Sequence, residues 1–188
     1  MDTFSFFFGF YGLILGLAVT ELLGGFGNVV RAGVLRKLGA QTALLALFVL
    51  VVICATWIDA WHSMRNVPLD FQGLWAPLAI AILYYLAATI TFPRDPAQWP
   101  SLDDYYATRK RFVVGSMLAA EFVVNYTFRG IFIDAWEHNR AYFWWHSVGY
   151  NIAIKLAFLA LFFAKGKRAN IAALLTLDAL FFAIYWIL

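Results

Sequence analysis

Glu121, Asn125 and Arg129 recur every four residues within the stretch Glu121–His138, EFVVNYTFRGIFIDAWEH. That spacing places all three on one face of an α-helix. A second four-residue stripe, Ser147, Asn151 and Lys155, follows in the next apolar segment, and Asp178 stands alone in the last one. Ionisable groups inside a bilayer are costly and by default mark proton relays, ion paths or buried partners. If the two stripes run antiparallel, Glu121 and Lys155 lie at one depth, roughly 13 Å from the nearer membrane face at the helical rise, and Asp178 reaches a similar depth from its own helix. Lys155 can neutralise only one of the two carboxylates, which leaves the other for water, a further donor or a proton. The chemistry expected is movement of protons or small ions along Glu121, Lys155 and Asp178, extended by Asn125, Asn151 and Arg129. The alternative is structural, with Glu121 and Lys155 as a buried pair and the asparagines bonded across a hairpin.

A second group of candidate ligands falls at the opposite ends of these helices. His62, His138 and His146 lie near Asp59 and Asp134, with Asp59-x-x-His62 and Asp134-x-x-x-His138 each at helical spacing. Histidine and carboxylate suit a divalent zinc, copper or iron ion, and the alternative is a solvated interface. No cofactor is otherwise expected. The sequence holds no glycine-rich phosphate loop, nucleophile elbow or HExxH pair, so no catalytic residue is assigned. The single cysteine, Cys54, excludes an intramolecular disulfide.

The elements that must position these residues are membrane helices. The 188 residues are 63% hydrophobic and 13% charged, a balance of polytopic membrane proteins rather than soluble domains. Six stretches are long enough to span, at about 3–24, 41–61, 72–92, 112–133, 142–164 and 169–188, in one all-α transmembrane domain. The first is too long for a signal-peptide core and is expected to persist as a helix. The net charge of +3 reads as a topology signal rather than a nucleic-acid surface. Arg31, Arg36, Lys37, Arg94, Arg109, Lys110, Arg111, Lys165, Lys167 and Arg168 fall in connections one, three and five, against Arg65, Arg129 and Arg140 on the other side. The positive-inside rule makes the odd connections cytoplasmic and both termini outward.

Gly12, Gly16, Thr20 and Gly24 form a ridge of small residues along the first helix, suited to close approach of another helix from this chain, a second copy or a partner membrane protein. Glu21 sits beside it, either on the ion path or snorkelling to the interface. The loop at 93–111 is expected to run extended through Pro93, Pro96 and Pro100. Ser101 then opens the fourth helix, Tyr105 and Tyr106 sit at headgroup level, and Arg109, Lys110 and Arg111 face lipid phosphates. The aromatic residues Trp57, Trp61, Trp136, Tyr142, Phe143, Trp144 and Trp145 form the outer belt.

The segments GLILGLAVTELLGG, LYYLAATITFPRDP and DDYYATRKRF resemble a widespread family of small bacterial six-helix integral membrane proteins. The resemblance implies the bacterial inner membrane and carries over no activity and no site residues. An internal match, Ile58-Asp59-Ala60-Trp61 with Arg65 against Ile133-Asp134-Ala135-Trp136 with Arg140, suggests a duplicated helical hairpin, helices two and three repeated as four and five. Three functions follow as expectations: a small proton or ion channel or transporter, a non-catalytic membrane scaffold or sensor that binds partner proteins, and an outward-facing metal-binding protein or metalloenzyme.

Overall fold

The computed structural model describes residues 3–63, 71–127, 133 and 136–187. These form α1 (Thr3–Arg31), α2 (Ala40–Ser63), α3 (Phe71–Thr91), α4 (Leu102–Thr127), α5 (Arg140–Tyr142), a π-helical stretch (Phe143–Tyr150), α6 (Asn151–Phe163) and α7 (Lys167–Ile187), with no strand among the described residues. The π-helix replaces the uniform α-helix expected for the fifth apolar segment. Phe4–Arg31, Ala40–Trp61, Gly73–Thr91 and Phe143–Phe163 are long and apolar enough to cross a membrane. Among the described residues the other two expected spans do not reach that apolar length: α4 opens with Asp103, Asp104, Arg109, Lys110 and Arg111, and the end of its expected span lies outside the described residues, while α7 opens with Lys167 and Arg168 and carries Asp178.

The surface agrees with lipid as solvent. Large apolar side chains such as Phe6, Leu13, Leu17, Ile82, Phe122, Leu156 and Phe163 point outward on nearly every helix. Because lipid tails are as apolar as leucine, burial alone does not drive such helices together, and close backbone approach does. The fully buried Ala18, Ala81, Ala87, Ala88 and Ala120 supply that approach, while Tyr11, Phe48, Ile53, Met117 and Phe158 fill the space between helices. In order of contact, α3 lies between α1 and α4, and α2 packs on α7.

The helix ends show how the chain turns. α1 closes in a Schellman motif: Gly33 takes φ +68°, its N–H bonds to Val30 O at 3.0 Å, and Val34 N–H bonds to Val29 O at 3.3 Å. Only glycine takes that left-handed conformation without penalty. Ser101 caps α4 as its sequence position suggests, its Oγ accepting from Asp103 N–H at 3.1 Å.

The next contact joins three elements. Asp103 Oδ1 accepts from the backbone N–H of Thr42 at 3.1 Å and from its hydroxyl at 3.2 Å, so the start of α4 caps the start of α2. Lys167 Nζ, at the start of α7, lies 3.4 Å from Asp103 Oδ2. The single Thr42 hydroxyl proton is shared with Leu102 O, the shorter contact at 2.8 Å. Gly39 leaves the room this needs, since an added Cβ would occupy the space of the Asp103 carboxylate.

The loop at 93–111 departs from the expectation in two respects. It is not extended throughout: Pro96–Gln98 form a 3₁₀ turn capped by Asp95, whose Oδ1 accepts from Ala97 N–H at 3.1 Å. Its tyrosines, expected at headgroup level, turn into the protein rather than outward. Tyr105 donates to Ile90 O at 2.9 Å and Tyr106 to Asn170 Oδ1 at 3.1 Å, and both are buried. Helix carbonyls and side-chain amides near the bundle end offer these hydroxyls fixed acceptors. Lys37 Nζ, read above only as a topology signal, donates to Ala97 O at 2.9 Å and Trp99 O at 2.8 Å and pins the loop to the α1–α2 turn.

Asp103→Ala is expected to lower stability by about 1 kcal/mol, the usual worth of a cap. Gly39→Ala should reproduce most of that loss by displacing the same carboxylate. Thermal unfolding of the purified protein in detergent reads both, and equal melting of wild type and Gly39→Ala would contradict the steric account.

Candidate functional site: a polar centre between the helices

Each polar stripe closes on itself. Asn125 Nδ2 donates to Glu121 Oε1 at 3.2 Å along α4. Lys155 Nζ donates to Asn151 Oδ1 at 3.2 Å and faces the Phe122 ring at 5.8 Å. Glu121 and Lys155 make no ion pair within 4 Å, so the structure does not form the buried pair considered above. The reason is local: each long side chain finds an asparagine one turn away on its own helix, which costs less side-chain order than meeting across two helices. Lys155 still lies within electrostatic reach of Glu121. Arg129 and Asp134 lie outside the described residues, as do the side chains of Ser147, His62 and His146.

Glu121 instead faces inward to groups that the stripes did not single out. Tyr84 of α3 and Tyr150 of the π-helix both lie within its electrostatic reach, and so does Asp59 of α2. Tyr84 is fully buried, with its hydroxyl 3.0 Å from Thr56 Oγ1 of α2. Tyr150 donates to Leu180 O at 3.1 Å and so ties the π-helix to α7. Tyr11 of α1 is buried with no hydrogen-bond partner for its hydroxyl among the described residues, and it too feels Asp59. The centre therefore draws on α1, α2, α3, α4, the π-helix and α6. Two carboxylates, three phenols, a threonine and an ammonium group can exchange or hold protons there, and the carboxylates and hydroxyls can coordinate a small cation.

Asp178 does not join this group. It is only 5% exposed, and neither carboxylate oxygen has a hydrogen-bond partner among the described residues. Its neighbours along α7, Leu174, Leu177 and Phe181, are buried, and Phe181 meets Phe48 of α2 edge-on at 5.6 Å. Glu21 is exposed on the α1–α3 side, in a cleft with Thr20, Asn28, Arg31, Thr89 and Arg94, away from Glu121.

The expected packing ridge divides. An added Cβ on Gly12 would come 3.0 Å from Trp57 Nε1, whereas Gly16 and Gly24 face open space and Thr20 is exposed. The tight glycine next to them is Gly25, where a Cβ would lie 2.9 Å from Phe92 Cβ.

The metal-ligand reading receives no cluster: among the described residues, no three of histidine, cysteine, aspartate and glutamate come together. His138 is exposed, while Asp59 is half-buried and reaches the polar centre. Of the internal match, Arg65, Asp134 and Ala135 lie outside the described residues. Sequence pattern alone does not single out the tyrosines, because tyrosine usually belongs to the interfacial belt. The signal that could have found them is position, since Tyr84 falls in the middle of its apolar stretch rather than at an end.

Comparison with protein-family models, with curated proteins and with solved structures finds no match to this chain.

Tyr84→Phe and Thr56→Val are each expected to cost about 1 kcal/mol, the net worth of one hydrogen bond, plus the burden of the orphaned partner. The double variant should cost clearly less than the sum, because it leaves no buried hydroxyl unpaired. A thermal-unfolding cycle in detergent reads this coupling, and strict additivity would show that the two hydroxyls do not act as a pair.

Proposed function

We propose that this protein moves protons or small cations across a membrane through the polar centre around Glu121. The observation that supports it most is that Glu121, bonded to Asn125 on its own helix, has Tyr84, Tyr150, Lys155 and Asp59 from four other elements within its electrostatic reach, inside a chain whose outer surface is apolar. A clasp needs only two groups to hold two helices. Here several exchangeable groups gather, and one of them, the Tyr11 hydroxyl, has no hydrogen-bond partner among the described residues. In this scheme Glu121 takes and releases the charge, Asn125 fixes one of its oxygens, and Tyr84 and Tyr150 extend the chain of hydroxyls. Asp178 is a second, separate site for a proton or a small cation, since a carboxylate buried without a partner favours either occupant. The arrangement fits six spans with the basic connections on the cytoplasmic side of a bacterial inner membrane and both termini outward.

Reconstituted into vesicles with a pH-sensitive dye inside, the wild type should dissipate an imposed proton or cation gradient. Glu121→Gln should slow this at least about tenfold, the effect of removing a site worth 1.4 kcal/mol or more. Equal flux in wild type and Glu121→Gln would remove the proposal.

A scaffold role is favoured by one specific observation: Gly16, Thr20 and Gly24 present an exposed small-residue face on α1 that none of the described residues covers. If that face seats a helix of another copy or of a partner protein, Gly16→Ile with Gly24→Ile should abolish crosslinked oligomers or complexes while leaving the melting temperature of the chain unchanged. Gly25→Ile, by contrast, should destabilise the chain itself. Unchanged crosslinking in the double isoleucine variant would count against the scaffold.

A further inference from the structure

At the basic end of the molecule, between α4 and the α6–α7 turn, lies a pocket of about 290 Å³ lined by Thr108, Lys110, Arg111, Gly166 and Asn170 among others. Its central group is Lys110, which is only 6% exposed although it lies in a run of three basic residues. The expectation that Lys110 reaches out to lipid phosphates is therefore replaced by a built position. Its Nζ donates to Ala164 O at 2.7 Å, just past the last turn of α6, and to Asn170 Oδ1 at 2.8 Å. Asn170 is held in turn by Tyr106 and by its own Nδ2 donation to Gly166 O at 2.8 Å.

An ammonium group has three donors, and these contacts use two. They are carbonyl-type acceptors, so they satisfy hydrogen bonds without cancelling the charge. Arg111, exposed beside it, stacks over Phe162 at 5.9 Å. Among the described residues no carboxylate pairs with Lys110 or Arg111, and Asp103 is already engaged by Thr42 and Lys167. Burial and the neighbouring Arg111 guanidinium both push the Lys110 amine below its ordinary value, as befits a cation that still lacks a counter-charge. The pocket sits at the boundary of the apolar surface, with Phe112 and Phe163 exposed next to it. Gly166, at φ +91°, leaves the rim bare of side chain where α7 begins.

We propose that this pocket binds a net-anionic phosphate, either the phosphodiester of an acidic lipid headgroup or free phosphate at the membrane surface, with Lys110 and Arg111 as its counter-charges. Basic pockets between helices at the cytoplasmic end are suited to such headgroups, and two cations with no paired carboxylate among the described residues leave room for one anion. The site is independent of ion movement through the polar centre, so it stands or falls by binding alone.

The full chain, purified in a neutral detergent, is titrated with phosphatidylglycerol, with phosphatidylcholine and with inorganic phosphate, and binding is read by native mass spectrometry and by thermal stability. Phosphatidylglycerol should bind about tenfold or more tightly than phosphatidylcholine, whose ammonium cancels its phosphate. Arg111→Gln should weaken it about tenfold, whereas Arg109→Gln, which removes the same charge from a neighbouring exposed position outside the pocket, should change it less than about twofold. Inorganic phosphate that competes with the lipid identifies the free anion as an occupant. Failure to compete, with lipid bound, assigns the site to the headgroup. Equal retention of the two lipids, no binding of either anion, or equal losses in the two arginine variants would overturn the proposal. Lys110→Met removes the support of α6 as well and is a useful variant only if it folds. Arg111→Gln touches no helix end and keeps the test decisive.

Discussion

The first amides of a helix have no partner within that helix, and where α2 enters the apolar bundle they must find one from elsewhere. Asp103 meets this need from another helix altogether. Its carboxylate accepts from Thr42 N–H and Thr42 Oγ1, with the negative charge where the helix dipole favours it, and draws in Lys167 from the start of α7. One side chain thereby sets the relative positions of α2, α4 and α7. The pairing of α2 with α7 and the loop between α3 and α4 both depend on that arrangement. Gly39 is the steric condition for it.

The opposite problem is solved nearby with the opposite charge. Beyond the end of α6, Ala164 O is met by Lys110, a cation where the dipole favours one, and Asn170 relays the contact to Tyr106 and Gly166. Helix ends of both polarities are thus tied to α4 within a few residues of each other. The cost is an ammonium group almost removed from water with its charge uncancelled, and that residual charge is what makes the adjoining pocket a site for an anion.

Away from this end, the bundle holds together by close approach of alanines and by a small number of buried polar groups. The polar centre is not a row of charges facing one another across a hairpin. It is a cluster of carboxylates and hydroxyls in which intrahelical asparagine contacts restrain Glu121 and Lys155, and tyrosines from three other elements complete the surroundings. Asp178, enclosed by apolar neighbours, is separate from it. Proton or cation movement and lipid attachment would then occupy different layers of the same protein.

Composition and periodicity were enough to show an all-α chain with helices built for lipid, because a long apolar run has few other stable solutions in or out of water. They also located the capping Ser101 and the intrahelical neighbours Glu121–Asn125 and Asn151–Lys155, since these depend on spacings of two to four residues along one helix. What the tertiary structure decided was every contact that crosses between helices. That Asp103 caps α2 and Lys110 meets the end of α6, that Tyr84 finds Thr56, and that Asp178 has no hydrogen-bond partner among the described residues could not be read from spacing. Helix rotation and depth set those meetings, and a helix can turn by a fraction of a residue without any change in its hydrophobic pattern. The same reason divides the small-residue ridge: Gly12 meets Trp57 of α2 and Gly25, beside the ridge, meets Phe92 just past α3, while Gly16 and Gly24, with the spacing and chemistry of Gly12, are left facing outward.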